Sequence, residues 1–168
     1  MIDYARINLK AGDGGNGAVA WRREKYEPTG GPAGGDGGDG GSIIIKATSN
    51  LSTLDDFKYK TKYKAQNGQP GGKSKKFGKK GDDLILKVPV GTILKESESN
   101  TIIKDFKFDG EEFIIAKGGR GGRGNVHFKN SIRQAPRFSE NGKKGQEIDL
   151  VLELKVLADV GLVGLPNV

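Results

Sequence analysis

The chain has 168 residues, 28 of them glycine, with no cysteine, a single histidine and a net charge of +7. The absence of cysteine excludes disulfides and thiolate zinc sites, and one histidine cannot by itself build a metal centre. No apolar run approaches the roughly 18 residues of a membrane span, and the basic balance, with a pI near 9.5, favours an anionic partner, nucleic acid first.

In chain order, Asp3 to Lys10 alternates Ala5, Ile7 and Leu9 against Tyr4, Arg6, Asn8 and Lys10 and reads as a strand. Nothing in Met-Ile-Asp-Tyr-Ala-Arg resembles a signal-peptide core, so the expectation is a cytoplasmic protein. Gly12-Asp-Gly-Gly-Asn-Gly17 is a first short glycine array. Ala18 to Trp21 reads as a short strand ending in the basic run Arg22-Arg23-Glu24-Lys25.

The stretch from Gly30 to Gly41 organises the rest. From Gly34 it reads Gly-Gly-Xaa three times without a break. A period of three is neither the helix period nor strand alternation. It matches polyproline II, a left-handed helix of about 3 residues per turn with no internal hydrogen bonds. Such a segment becomes ordered only when neighbours accept its backbone groups, and close approach requires missing side chains. The third column, Asp36 and Asp39, must point outward. Gly118-Gly-Arg-Gly-Gly-Arg-Gly124 is the basic counterpart, with Arg120 and Arg123 in one column, and weaker pieces lie at Gly68–Gly72 and Gly142–Gly145. The expectation is a single-chain bundle of polyproline II helices in which the 36/39 and 120/123 columns face each other.

Ser42 to Ala47, with Ile43-Ile44-Ile45, reads as a buried strand. Phe57 to Lys64 alternates cleanly, predicting a strand with Phe57, Tyr59, Thr61 and Tyr63 on one face and four lysines on the other. The loop from Gly68 to Gly81 follows. From Lys58 to Lys80 there are nine lysines and no acidic residue, the densest charge on the chain. Asp83–Val88, Gly91–Lys95, Thr101–Phe106 and Glu111–Lys117 are further strands, with a turn at Val88-Pro-Val-Gly-Thr92. Lys129 to Phe138 should be a loop, Gly142-Lys-Lys-Gly145 a turn, and Gln146 to Val156 a long strand. No segment has a convincing helical period. The fold class is all-β, a barrel or sandwich of short strands with glycine-rich segments projecting from it.

No Ser-His-Asp set or ligand cluster is legible. His127 reads as structural, and Asp55-Asp56 and Asp82-Asp83 as turn or capping residues rather than a catalytic pair. At the end of the chain, Gly164-Leu165-Pro166-Asn167-Val168 matches the first five residues of the phosphate-cradling pattern G-x-x-x-x-G-K-[ST].

With those motifs in hand, the chain resembles the Obg family of GTPases. The resemblance is carried by Ala11-Gly-Asp-Gly-Gly-Asn-Gly17, Arg22-Arg-Glu-Lys-Tyr26, Gly30-Gly-Pro-Ala-Gly-Gly-Asp-Gly-Gly38, Val88-Pro-Val-Gly-Thr92, Gly118-Gly-Arg-Gly-Gly-Arg-Gly-Asn125, Ala135-Pro-Arg137 and Leu152 to Asn167. Trp21 stands where members often have Phe, and Ala33 where many have Asp. The resemblance implies an Obg domain over residues 1–157, with an eight-stranded β-barrel and a glycine-rich bundle of six left-handed helices. It implies that 158–168 begin a GTPase domain cut within its phosphate-binding loop, with Gly164 to Val168 as the incomplete nucleotide site. In the parent protein it implies GTP hydrolysis with GTP/GDP and Mg2+, linked to guanine-nucleotide levels. The fragment itself is expected to be non-enzymatic, free of cofactor and monomeric.

The implied partner is the large ribosomal subunit and its rRNA, and possibly ribosomal proteins, during late assembly and stress. The expected RNA contacts lie in loops Arg22–Gly30, Lys73–Lys80 and Lys129–Lys144: Arg23, Lys25, Lys75, Lys76, Lys79, Lys80, Arg133, Arg137 and Lys143. The alternatives are an inert glycine-rich scaffold or a general RNA-binding module.

Overall fold

The computed structural model describes residues 2–22 and 30–155. Eight strands carry the regular structure: β1 (Ile2–Lys10), β2 (Ile43–Thr48), β3 (Lys62–Lys64), β4 (Leu84–Pro89), β5 (Ile93–Glu96), β6 (Ile102–Asp105), β7 (Glu112–Ala116) and β8 (Glu147–Lys155). Helix is confined to one turn, α1 (Asp56–Tyr59), and a 3-10 turn at Asn125–Phe128. The all-β expectation holds.

The strands form two sheets, ordered β3-β1-β8-β5-β6 and β4-β2-β7. Among the described residues no ladder joins them into the closed barrel that the family resemblance implied. The edge strands β3 and β6 are only three and four residues long. The sheets instead bury their inner faces against each other. Ala5, Ile7 and Leu9 of β1 stand opposite Leu152, Leu150 and Ile148 of β8. Ile43, Ile45 and Ala47 of β2 pair with Leu84, Leu86 and Val88 of β4. These side chains, with Leu54, Leu94 and Phe106, form one continuous core. Full burial of each large aliphatic side chain contributes roughly 1.5–3 kcal/mol.

Six extended stretches leave the sheets on one side: 11–18, 34–41, 66–72, 76–82, 118–124 and 139–145. They make no ordinary strand ladder. Their N–H groups bond to neighbouring stretches in a lattice of period three. Gly35, Gly38 and Gly41 donate to the carbonyls of Gly72, Gln69 and Gln66, at 3.0, 2.9 and 2.8 Å. Gly37 and Gly40 donate to Gly122 and Gly119. The carbonyls of Gly35, Gly38 and Gly41 accept from Ala18, Gly15 and Gly12, and those of Asp36 and Asp39 accept from Gly78 and Gly81. Successive residues of 34–41 thus address different neighbours, placing this stretch at the centre of the bundle.

Glycine is needed here for its missing side chain. Among the described glycines only Gly91 (φ 96°) and Gly110 (φ 86°) have left-handed backbone, and neither is in the bundle. A Cβ on Gly37 would overlap the carbonyl of Gly15, and one on Gly121 the carbonyl of Gly37.

The polar third column has a definite task. Asp36, Asp39 and Ser42 accept the N–H of Gly124, Gly121 and Gly118 through their side chains, at 2.9, 2.8 and 3.0 Å. Asp13 and Asn16 do the same for Gly145 and Gly142. The acidic column therefore does face the segment bearing Arg120 and Arg123, but it bonds to glycine N–H groups. The Arg123 guanidinium turns to Glu140, with Nε 3.1 Å from Oε1.

Three local expectations need correction. Residues 57–64 are not one strand. Phe57 is buried in α1 and Tyr59 is 91% exposed, so they do not share a face. Lys58 pairs with Asp3, whose carboxylate also accepts the N–H of Leu54, and this docks α1 on β1. Ala18–Trp21 is also not a strand. Ala18 and Ala20 are absorbed by the lattice, and only Trp21 makes a bridge, to Pro32. Finally, 142–145 is not a turn: Lys143 exchanges backbone bonds with Arg120 and Gly14, as part of a sixth bundle stretch.

Candidate nucleic-acid interface

The end of the bundle farthest from the sheets is organised by a buried side chain. In the 118–124 array, Gly119 and Gly122 share a column whose next member is Asn125. Asn125 is fully buried. Its Oδ1 accepts from the N–H of Gly34 at 2.8 Å and Ala20 at 3.4 Å. Its Nδ2 donates to the carbonyls of Ala20 at 3.1 Å and Pro136 at 3.0 Å. One amide thus joins the start of the central stretch, the segment leading to Trp21, and the 129–138 loop. A buried amide satisfied on both sides is stabilising, whereas leaving its partners unpaired costs about 1–3 kcal/mol each.

Three chain reversals are held on this knot. Trp21 and Pro32 pair across the first, with Arg22 N–H donating to Gly31 at 2.9 Å. The second is a tight turn at Lys73–Lys76. Ser74 (φ 58°) and Lys75 (φ 59°) are both left-handed, a conformation costing non-glycine residues on the order of 1–3 kcal/mol. The turn is pinned by Lys75 N–H to the carbonyl of Ala33 at 2.7 Å. The third, 129–138, folds back through Phe128 and Phe138, whose ring centroids are 4.8 Å apart. Arg123 lies over Phe128 at 5.8 Å and Arg133 over Phe138 at 5.4 Å. His127 ties the same end to the central stretch, its Nε2 2.8 Å from Asp36 Oδ1, in the structural role read from the sequence.

The expected contact residues separate by position. Lys75 and Lys76 are exposed on the left-handed turn, Arg133 on its aromatic platform, and Arg137 just beyond buried Pro136. Lys79 and Lys80 are exposed along the flank of the bundle, where the Lys79 carbonyl accepts from Gln69. Lys143 is exposed nearer the sheets, beside Gly14 and Arg120. Arg23 and Lys25 lie outside the described residues, as do Gly164, Leu165, Pro166, Asn167 and Val168. The lysine-rich segment is not uniformly unpaired. Lys58 meets Asp3 and Asp55, and Lys64 donates to Asn67 at 2.8 Å.

Sequence reasoning did not single out Asn125, Lys129, Phe77 or the individual role of Arg22. Asn125 carries a signal in retrospect, because it interrupts an all-glycine column. Phe77 is 75% exposed, a position that burial does not explain. Among the described residues no group of three His, Asp or Glu side chains is arranged to hold a metal, and no helix is long and apolar enough to cross a membrane. The arrangement offers cations and exposed rings on a stiff backbone, suited to phosphate contact and base stacking.

Comparison with known proteins places this geometry. The GTP1/OBG family pattern matches residues 2–156. A protein named GTPase Obg from Finegoldia magna is 66% identical over all 168 residues, which cover 40% of its length. GTPase Obg of Caldicellulosiruptor bescii is 62% identical over the whole chain, covering 39% of that protein. GTPase Obg of Prosthecochloris aestuarii is 58% identical over 99% of the chain, covering 51% of that protein. The chain therefore spans about two fifths to one half of the length of these relatives. From the glycine lattice, the strand order in sequence and a family match that runs nearly end to end, the chain belongs to the GTP1/OBG family.

Proposed function

We propose that this domain is the ribosome-binding part of an Obg-type GTPase, a rigid basic prong that inserts its loop tips into the rRNA of the large ribosomal subunit during late assembly and stress. The observation that carries the reading is the period-three lattice, which ends in cation-bearing turns pinned through Asn125 and Ala33. A lattice of backbone bonds gives stiffness without bulky side chains, so the prong stays narrow. The bundle stretches are left-handed polyproline II helices in this reading; Gly124, at φ −71° and ψ 167°, has the matching backbone. The two sheets represent the barrel of the fold. The domain spans 1–157 and acts as a monomer in the cytoplasm, touching rRNA foremost and ribosomal proteins at its rim.

The relatives bear the name GTPase, and in the whole protein GTP or GDP with Mg2+ would bind in a domain beginning at 158–168. The fragment alone would hydrolyse no GTP. The residues assigned to that site, Gly164–Val168, lie outside the described residues, and no step is derived through the nucleotide.

The test is co-sedimentation of the chain with separated large and small ribosomal subunits at two salt concentrations. Selective binding to the large subunit is expected. If about 6–10 phosphates are neutralised, affinity falls by roughly 10³–10⁵ between about 50 and 200 mM salt. Equal binding to both subunits, or a flat salt response, removes the reading.

A further inference from the structure

Gly31 is an exception within the glycine array. It shares a column with Gly34, Gly37 and Gly40, and a Cβ on any of those three would overlap the backbone of Ala18, Gly15 or Gly12. A Cβ on Gly31 would meet no backbone. Its nearest neighbours would be Lys129 Nζ at 3.6 Å and Arg22 Nη2 at 3.7 Å, ordinary contact distances. Nor is its backbone left-handed. Neither packing nor conformation therefore requires glycine here. What the missing side chain leaves is a bare peptide surface under two converging cations.

Next to it is a cleft of about 270 Å³ lined by Arg22, Ala33, Ser74 and Lys75. Two of these, Ser74 and Lys75, are the left-handed residues whose unfavourable backbone is retained by the Lys75–Ala33 bond. Strain kept at a cleft edge by a dedicated anchor is characteristic of ligand sites. Exposed aromatic rings flank the cations in sequence: Trp21 precedes Arg22, and Phe77 follows Lys75 by two residues, at 39% and 75% exposure.

We infer that Arg22, Lys129, Ser74 and Lys75 form a phosphate site over Gly31, and that its ligand is a phosphodiester of single-stranded RNA. Cations beside exposed rings suit an unstacked strand, whose bases can lie on aromatic faces while its backbone follows the charges. A duplex offers the phosphates and hides the base faces. This inference rests on the reading of the domain as an RNA-inserting prong and gives it a specific point of contact.

The experiment is fluorescence anisotropy of the full chain with a labelled single-stranded RNA of about 12 nucleotides, within the usual range of single-strand site sizes, and with the same sequence as a duplex. Gly31→Ala is expected to keep the thermal midpoint and to bind the single strand about tenfold more weakly, the loss of one good phosphate contact. Lys129→Gln should lower the slope of log affinity against log salt by about 1, a change that a merely structural role would not produce. Trp21→Ala should weaken the single strand and leave the duplex unchanged. If the wild type binds the single strand and both Gly31→Ala and Lys129→Gln match it in affinity and slope, the site is overturned while the prong reading stands. If the wild type binds neither RNA at low salt, both fall together. Duplex binding as tight as single-strand binding overturns the single-strand assignment. Should Gly31→Ala lower the thermal midpoint, Lys129→Gln decides.

Discussion

At the scale of single residues, the bundle separates two uses of glycine that composition cannot distinguish. Gly37 is walled by the Gly15 carbonyl, so Gly37→Ala must push two backbones apart. Overpacking of this kind costs typically 1–3 kcal/mol, and the rigid lattice puts the expected loss at the upper end, about 3 kcal/mol in thermal or denaturant unfolding. Asp39 illustrates the polar column. Asp39→Ala leaves the Gly121 N–H without its side-chain acceptor and should cost about 1–3 kcal/mol. Asp39→Asn, which keeps a carbonyl oxygen in place, should recover most of that loss in the same assay. The acid–glycine register was legible as a column of period three, because side-chain direction follows directly from the period. Its bonding partner was not. Sequence suggests opposite charges attracting, but Asp36 and Asp39 sit closer to unsatisfied N–H groups, and Arg123 has its own carboxylate in Glu140.

Among the elements, the β6–β7 connection carries the clearest pH signature. Glu111 accepts from Lys104 at 2.8 Å and from the N–H groups of Lys107 and Phe108 at 2.7 Å each. The Lys104 bond foremost, and then those N–H groups, pull its pKa from 4.5 down to about 2. The folded pKa lies below the unfolded one, so this contribution is complete above about pH 4.5. It is lost as pH falls toward about 2, when the carboxylate takes up a proton. Amide exchange at Lys107 and Phe108 should accelerate across that window in the wild type. In Glu111→Gln it should be fast at every pH. Strand positions were read well wherever alternation ended in a buried face, as in β1 and β8. The reading failed at 57–64, where perfect alternation of aromatic and lysine residues coexists with a helical turn. Phe57 enters the core and Lys58 reaches Asp3, a residue more than 50 positions earlier in the chain. Local pattern carries no information about such a distant partner. Phe57→Ala should cost about 3–5 kcal/mol and detach α1.

Considered as a whole molecule, bundle and sheets are one structure. Every bundle stretch continues a strand: 11–18 follows β1, 34–41 leads into β2, and 66–72 follows β3. Likewise 76–82 leads into β4, 118–124 follows β7, and 139–145 leads into β8. No hinge separates prong from base, so unfolding should be a single event. Trp21, the sole tryptophan, reports the distal end, and far-ultraviolet dichroism reports the sheets. Their transitions should coincide, and Gly37→Ala should shift both together. Two separate midpoints would mean that the lattice melts on its own. The closed barrel was carried by family resemblance rather than by any residue pattern, and strand pairing over long sequence distance is what alternation leaves undetermined. The two-sheet arrangement follows instead from short edges at β3 and β6 and from a core that both sheets share.

The lattice also restricts how such a protein can change in reach. Gly35, Gly38 and Gly41 step along one neighbour while Gly37 and Gly40 step along another. Removing a single residue from any stretch would therefore rotate every later group onto the wrong partner. Length can change only in whole triplets, about 9 Å at a rise of roughly 3.1 Å per residue, and only when all the abutting stretches change in concert. The prong behaves like a ruler with coarse graduations: its tip can be redecorated one side chain at a time, but its span moves by jumps or not at all.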